Sequence, residues 1–277
     1  MNTTIQALAV FLPCGYLWVA LLYGMAFAGE HQPRIAKARG SSALILIGMH
    51  LLYFVLFGIG TNSLPLSNTW LMISSIVWTT CVLSLILSGR LHHATVGCFL
   101  FFLGGILQML ASAFGPITLE EAGSGYGSTQ LLHGLTSILA SSALLLSGIY
   151  GWLHLMLYRQ MRAKRFGLLF RQLPDLEKLS RLTRRSALAG FLMLTLGVNI
   201  GIGVGHASRE GGFSYLDPHV LLSIFVWLHF GAIAFSERIR GISARRASFA
   251  AVAGMLTLIA LLLLSLVPGI TDHTAGL

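Results

Sequence analysis

Eight long apolar runs, separated by short polar segments, constrain this chain of 277 residues more than any other feature of its sequence. Each run holds about 19–28 residues, and roughly 20 are enough for a helix to cross a hydrocarbon core about 30 Å thick. The runs lie near residues 5–28, 43–62, 70–88, 96–114, 131–158, 187–207, 218–236 and 247–268. Because a chain in lipid must satisfy its backbone hydrogen bonds internally, such runs predict transmembrane helices. The expected fold is all-α: one polytopic membrane bundle of about eight helices, covering residues 1–277.

The composition supports a membrane protein. Hydrophobic residues make up 55% of the chain and charged residues only 10%, whereas a soluble domain carries roughly 25% charged residues. A water-soluble enzyme, a disordered chain and a coiled coil are therefore excluded. The first run lacks a basic leader and a small-residue cleavage site, so we expect a retained helix. The cysteines Cys14, Cys81 and Cys98 form no CxxC motif, which argues against a disulfide framework, a zinc ribbon and a thiol oxidoreductase.

The distribution of basic residues predicts the orientation. Seventeen of the 18 lysines and arginines fall in the segments 29–42, 89–95, 159–186 and 237–246, and only Arg209 lies elsewhere. Basic loops stay in the cytoplasm, so both termini are expected outside. The net charge of +9 is then explained by topology and needs no nucleic-acid partner. The expected location is the bacterial cytoplasmic (inner) membrane, with the lipid bilayer as the first partner.

The segment 159–186 is the one sizeable stretch between spans. Pro174 and Asp175 open a short helical pattern with Leu176, Leu179 and Leu182 on one stripe and charges elsewhere. This pattern predicts a basic cytoplasmic loop with a short interfacial helix. It could serve as a solvated connector with affinity for anionic lipid or as a docking surface for a partner.

Two histidines lie inside the apolar runs, and the predicted ends of the runs place both at the same depth. His50 and His229 are each about seven residues from the cytoplasmic end of their run, or roughly 10 Å deep. An ionisable residue inside the membrane suggests a functional site. Two neutral imidazoles at one level could supply both axial ligands of a haem iron. The alternative is that each ring forms a hydrogen bond with a neighbouring helix.

A second set of histidines collects at the outer ends of the runs: His133, His206, His219 and His273. His206 and His219 are typical of side chains in the wet interface. Near them lie the aromatic residues Trp70, Phe213 and Tyr215, which favour an aromatic belt or an apolar platform for a flat macrocycle.

Several ordered motifs carry a family resemblance. Leu132-His133-Gly134 opens a long helix, and Leu-Pro-x-Leu-Glu follows at 173–177. "LDPHVLLSIFVWLHFG" contains Trp227, "RIRGISARRASFAAVAG" precedes the last span, and "VPGITDH" follows it. From about residue 43 onward the chain resembles the cytochrome c assembly protein family, the haem-handling group that includes the CcsA, CcmC, YpjD and HemX types.

The resemblance implies a haem role at the outer surface. His133 and His273 fall where the family has outer histidines flanking a tryptophan-rich loop, and His50 falls near an intramembrane family histidine. Where better-studied members carry Trp-Gly-x-x-Trp-x-Trp-Asp, this chain has "GGFSYLDP", in which Phe213, Tyr215 and Asp217 echo the loop. This departure points towards the YpjD or HemX-like branch.

The leading functional hypothesis is a haem-handling membrane protein of cytochrome c biogenesis. Haem b would be held by His50 and His229 within the membrane, and by His133 and His273 against Phe213, Tyr215, Asp217 and Trp70 outside. No catalytic residue is expected, so the chain is predicted to be a haem-binding or transfer component rather than a complete enzyme. Other biogenesis proteins and apocytochrome c would be its partners. The alternatives are a HemX-like regulatory or accessory protein without haem transfer, and a small-molecule transporter.

Overall fold

The structure is a computed structural model. It describes residues 2–28, 33–61, 68–88, 94–115, 128–164, 167–208, 216 and 218–264. These residues form helices without any strand. The helices are α1 (Asn2–Phe27), α2 (Pro33–Thr61), α3 (Thr69–Ser88), α4 (Ala94–Phe114), α5 (Ser128–Arg162), α6 (Leu168–Gln172), α7 (Leu176–Ser208), α8 (Pro218–Ala234) and α9 (Ala244–Leu264).

The all-α membrane fold predicted from the sequence is confirmed. Each of the eight apolar runs corresponds to one long helix, and α6 is a short extra helix between two of them. Among the described residues, seven helices are long and apolar enough to cross a membrane. The eighth, α8, has 17 residues and is about 26 Å long. The chain is therefore a multi-pass membrane protein.

The helices pack as two groups joined through α5. In the first group, α1 packs against α4 and α2, and α3 packs against α4. In the second, α5 packs against α7 and α9, and α8 packs against α7 and α9. The groups meet where α3 lies along α5. On α5, Leu146, Tyr150 and Leu153 are fully buried, so this helix forms the centre of the molecule.

Small residues allow the closest helix contacts. Gly97 of α4 faces the ring of Tyr23 on α1 so closely that a methyl group would overlap the ring. On α7, Gly197 and Gly201 lie against Thr136 and His133 of α5. The glycine spacing on the sixth long helix thus brings the two backbones together, as small residues do in membrane interfaces.

Both α5 and α7 are longer than a bilayer is thick. They have 35 and 33 residues, or about 50 Å each, and they run antiparallel. Residues 176–182, expected to form a separate short helix, are instead the first turns of α7. Asp175 caps that helix by accepting a hydrogen bond from the backbone N–H of Lys178 at 2.6 Å. Leu179 and Leu182 are buried within the bundle because α7 continues directly into its membrane span.

Candidate functional site

A directed chain of hydrogen bonds surrounds His50, whose side chain is fully buried. The hydroxyl of Ser74 on α3 donates to Oε1 of Gln108 on α4 at 2.9 Å. Ser74 Oγ must therefore accept the N–H of His50 Nε2, which lies at 2.9 Å. The other ring nitrogen, Nδ1, then accepts the hydroxyl proton of Tyr16 on α1, also at 2.9 Å. In a neutral imidazole this arrangement occupies both nitrogens.

The series of hydrogen bonds extends one step further and links four helices. Nε2 of Gln108 donates to Ser112 Oγ at 3.2 Å. The ring of Phe54 lies over His50, with the ring centroids 4.5 Å apart. Satisfied buried networks stabilise and specify packing, and here one polar side chain from each of α1, α2 and α3 joins two from α4. The contacts of His50 support the alternative in which its ring forms hydrogen bonds with neighbouring helices.

His229 has different surroundings. Its Nε2–H donates to the carbonyl oxygen of Ala250 on α9 at 3.0 Å, and its ring packs against Phe225 and Phe230. The side chain is partly buried. Since α8 packs on α7 and α9, whereas α2 packs on α1 and α3, the two rings lie in different groups of helices.

The two histidines also lie at different levels along the bundle, as their positions relative to α5 show. Ser142 on α5 donates to the backbone of Ile76, two residues beyond the Ser74 that contacts His50. Gly151 on α5 packs against Ser248 and Ala251, which flank the Ala250 that contacts His229. The levels are about ten residues apart on α5, or roughly 15 Å. The sequence predicts equal depth because the second apolar run begins at residue 43, whereas the helix α2 begins ten residues earlier, at Pro33.

This geometry tests the intramembrane haem directly. Two axial ligands of one iron must face each other across a macrocycle one atom thick, and His50 and His229 do not. His50 has no free nitrogen, and aromatic side chains fill the space beside its ring. These residues therefore do not fit a haem between them.

His133 has the geometry of a prepared ligand. It lies in the second turn of α5 and is exposed. Its Nδ1–H donates to the carbonyl oxygen of Gly197 on α7 at 2.9 Å, because a carbonyl can only accept. A neutral ring then keeps its lone pair on Nε2. A backbone hydrogen bond of this kind is how proteins orient histidines that bind metals.

The remaining predicted residues of the outer site can be placed only in part. Trp70 lies in the first turn of α3, where the side chain of Asn68 accepts its backbone N–H at 2.8 Å. Its ring stacks on Phe114 at the end of α4, with centroids 5.1 Å apart. His273, Phe213, Tyr215 and Asp217 lie outside the described residues. Within the described part of the chain, no group of three or more histidine, cysteine or acidic side chains could hold a metal ion.

The apolar runs alone did not predict the hydrogen-bond partners of His50. Tyr16, Ser74 and Gln108 are each a polar residue in an apolar run, so the signal was present. The intramembrane glutamine is the strongest of these signals, because an unpaired amide in hydrocarbon is costly.

The comparison with known proteins identifies the family. Residues 14–271 match the family described as cytochrome c assembly protein. The chain belongs to this family. It is also similar to Protein HemX of Brevibacillus brevis, with 32% identity over 124 residues. That alignment covers 44% of this chain and 45% of the relative, so the match spans less than half of the relative's length. Family membership supports a membrane role in cytochrome c biogenesis.

Proposed function

We propose that the protein binds haem b as cargo at the outer membrane surface, with the iron on Nε2 of His133, and contributes to cytochrome c biogenesis. His273 is the proposed second ligand, and Phe213, Tyr215, Asp217 and Trp70 complete the proposed site. The bound iron offers axial positions to imidazole nitrogen. The part of this chain is to hold, orient and present the macrocycle.

One observation carries the proposal. His133 donates its Nδ1 proton to Gly197, which leaves Nε2 as an acceptor on an exposed ring. Family membership supplies the ligand class. His50 and His229 are left out of the proposed site because each ring already forms hydrogen bonds within a different group of helices.

Other components complete the function. The three cysteines are free thiols, and none forms a CxxC pair in the sequence. The proposal therefore assigns thiol reduction of apocytochrome c to a partner, and the chain acts as a haem-binding component. Its proposed location is a bacterial inner membrane, with the haem site on the outer side.

The test is the absorption spectrum of detergent-purified protein expressed with ample haem. We expect a Soret band and the α and β bands of imidazole ligation. His133→Asn keeps a donor near the position of Nδ1 but removes the ligand, so the band should fall by about tenfold. His133→Gly should regain it when free imidazole is added. An unchanged spectrum in His133→Asn would overturn the assignment.

His206→Asn is the matched control. His206 is also an exposed histidine near the outer end of a long helix, and its Nδ1 bonds the carbonyl of Ile202 within α7. This variant should keep the wild-type spectrum. A loss equal to that of His133→Asn would indicate general disturbance of the outer surface rather than the loss of a ligand.

A second candidate function is an accessory membrane protein without haem transfer. The similarity to Protein HemX and the fully engaged ring of His50 favour it. It predicts a colourless protein even with ample haem, and binding of a soluble partner that is lost in Arg181→Gln/Arg185→Gln. A Soret band that depends on His133 would exclude it.

A further inference from the structure

A cleft of about 1360 Å³ opens at the end of the bundle where α5 ends and α7 and α9 begin. By the positive-inside prediction this end faces the cytoplasm. The wall of the cleft is formed by the last turns of α5, the first turns of α7 and the connection from α8 to α9. It is separate from the outer histidines and from the chain of hydrogen bonds around His50.

The cleft is strongly basic. Five arginines and two glutamates line it: Arg159, Arg162, Arg184, Arg245, Arg246, Glu177 and Glu237. Both glutamates already have arginine partners, since Glu237 pairs with Arg184 and Glu177 pairs with Arg181. Five arginines against two glutamates still leave a net charge of +3 on these lining residues.

Two of the cleft arginines are available for a ligand. Arg159 and Arg162 are exposed, and neither has an ion pair or side-chain hydrogen bond to the residues that the structure describes. The remaining two have weaker engagements. Arg245 lies over the ring of Tyr158, 5.3 Å from its centroid, and Arg246 donates to the carbonyl of Gly241 at 2.6 Å.

His154 supplies an independent sign of a ligand. It lines the cleft, its side chain is only 3% exposed, and its buried Nδ1 has no hydrogen-bond partner among the described residues. A buried polar atom left without a partner costs about 1–3 kcal/mol. Because this nitrogen is enclosed, a ligand oxygen in the cleft reaches it only after the imidazole ring turns, and such a turn would relieve the cost.

The cleft is also partly apolar, which favours a lipid over a soluble anion as its ligand. Leu155 and Phe249 line it together with the charged residues, and the ring of Phe249 is 69% exposed. Basic side chains beside apolar surface, at the level where a long helix leaves the bilayer, match the boundary between headgroups and acyl chains.

We propose that this cleft binds an anionic phospholipid of the cytoplasmic leaflet. Arg159 and Arg162 contact its phosphate, His154 forms a hydrogen bond with a headgroup oxygen, and Phe249 contacts the acyl chain. The inference is independent of haem, because none of these residues belongs to the proposed outer site.

The experiment measures the thermal stability of the purified full-length protein in a neutral detergent. Phosphatidylglycerol, phosphatidylcholine of the same chain length and inorganic phosphate are titrated separately. We expect saturable stabilisation by phosphatidylglycerol alone. Equal stabilisation by inorganic phosphate would make the ligand a soluble anion, and equal stabilisation by phosphatidylcholine would make it non-specific lipid. Either result, or no stabilisation at all, would overturn the proposal.

Variants locate the effect. Arg159→Gln/Arg162→Gln should weaken phosphatidylglycerol binding by about tenfold or more, since each basic residue near an anionic surface contributes about 1 kcal/mol. The control Arg171→Gln/Arg185→Gln removes the same charge from exposed positions that do not line the cleft. An equal loss in the control would show general charge attraction instead of a site.

His154→Leu tests the buried ring with a side chain of nearly the same volume. In the absence of lipid the variant should be as stable as the wild type or more stable, because the unpartnered nitrogen is removed. Its stabilisation by phosphatidylglycerol should be smaller. A variant with full lipid stabilisation would remove His154 from the proposed site.

Discussion

A methyl group added to Gly201 on α7 would lie 2.8 Å from Cε1 of His133 on α5. Carbon atoms pack at about 3.5–4.0 Å, so the imidazole would have to move. The glycine at position 201 therefore leaves the space that the His133 ring occupies.

Gly201→Ala is expected to displace the His133 ring and break its hydrogen bond to Gly197. Haem affinity should fall about tenfold. The free energy of unfolding in detergent should fall by about 1–3 kcal/mol, which is the usual cost of overpacking. Gly203→Ala is the control because a methyl group there meets nothing within 4 Å. Equal spectra for both variants would mean that the position of His133 does not matter for binding.

His50→Leu is expected to destabilise the protein without changing any haem spectrum. The substitution leaves the hydroxyl of Tyr16 and that of Ser74 each short of one partner, at a cost of about 2–6 kcal/mol together. Thermal unfolding and the absorption spectrum are measured on the same sample. The opposite pattern, a lost Soret band with unchanged stability, would identify His50 as an iron ligand.

Gly97→Ala is expected to loosen the contact between α1 and α4. Its methyl group would overlap the ring of Tyr23, which is fully buried and cannot easily move away. We expect a loss of about 1–3 kcal/mol. Gly48→Ala on α2 meets nothing within 4 Å and should be neutral or slightly stabilising, because alanine favours helix. Similar melting temperatures for both variants would contradict this packing.

The topology prediction depends on α8, the shortest of the eight long helices. If α8 crosses the membrane, a phosphatase fused after residue 277 is active outside, and one fused within 165–166 is inactive. A phosphatase that is inactive at the C-terminus but active at the N-terminus would show seven crossings. In that case α9 and His273 would lie on the opposite sides from those assigned to them, whereas His133 at the start of α5 would keep its side.

The sequence was sufficient for the helices but not for their partners. Apolar run length predicts a transmembrane helix because hydrocarbon thickness is fixed. Every apolar run corresponds to a long helix, and seven of these helices are long and apolar enough to cross a membrane among the described residues. The levels of the histidines could not be predicted in this way, because the basic residues at 34–39 concealed the first ten residues of α2. A difference of ten residues at one end of a helix moves every deduced depth by about 15 Å.

The candidate functional residues likewise depend on contacts between helices that are far apart in the sequence. The hydrogen bond that orients the His133 ring is made to a carbonyl 64 positions away on α7, and no local pattern encodes that contact. The cleft likewise requires Arg159 on α5 and Arg246 on α9 to meet. In the sequence they appear only as two separate basic loops, which is why topology was predicted from them and a binding site was not.

The hydrogen-bonded series from Tyr16 to Ser112 has a consequence for biosynthesis. All five of its members are synthesised before residue 113, so the first four spans can satisfy their polar side chains with one another while the rest of the chain is still on the ribosome. A nascent segment of that length would leave the translocon as a finished subassembly. The remaining helices would then dock against it through α5.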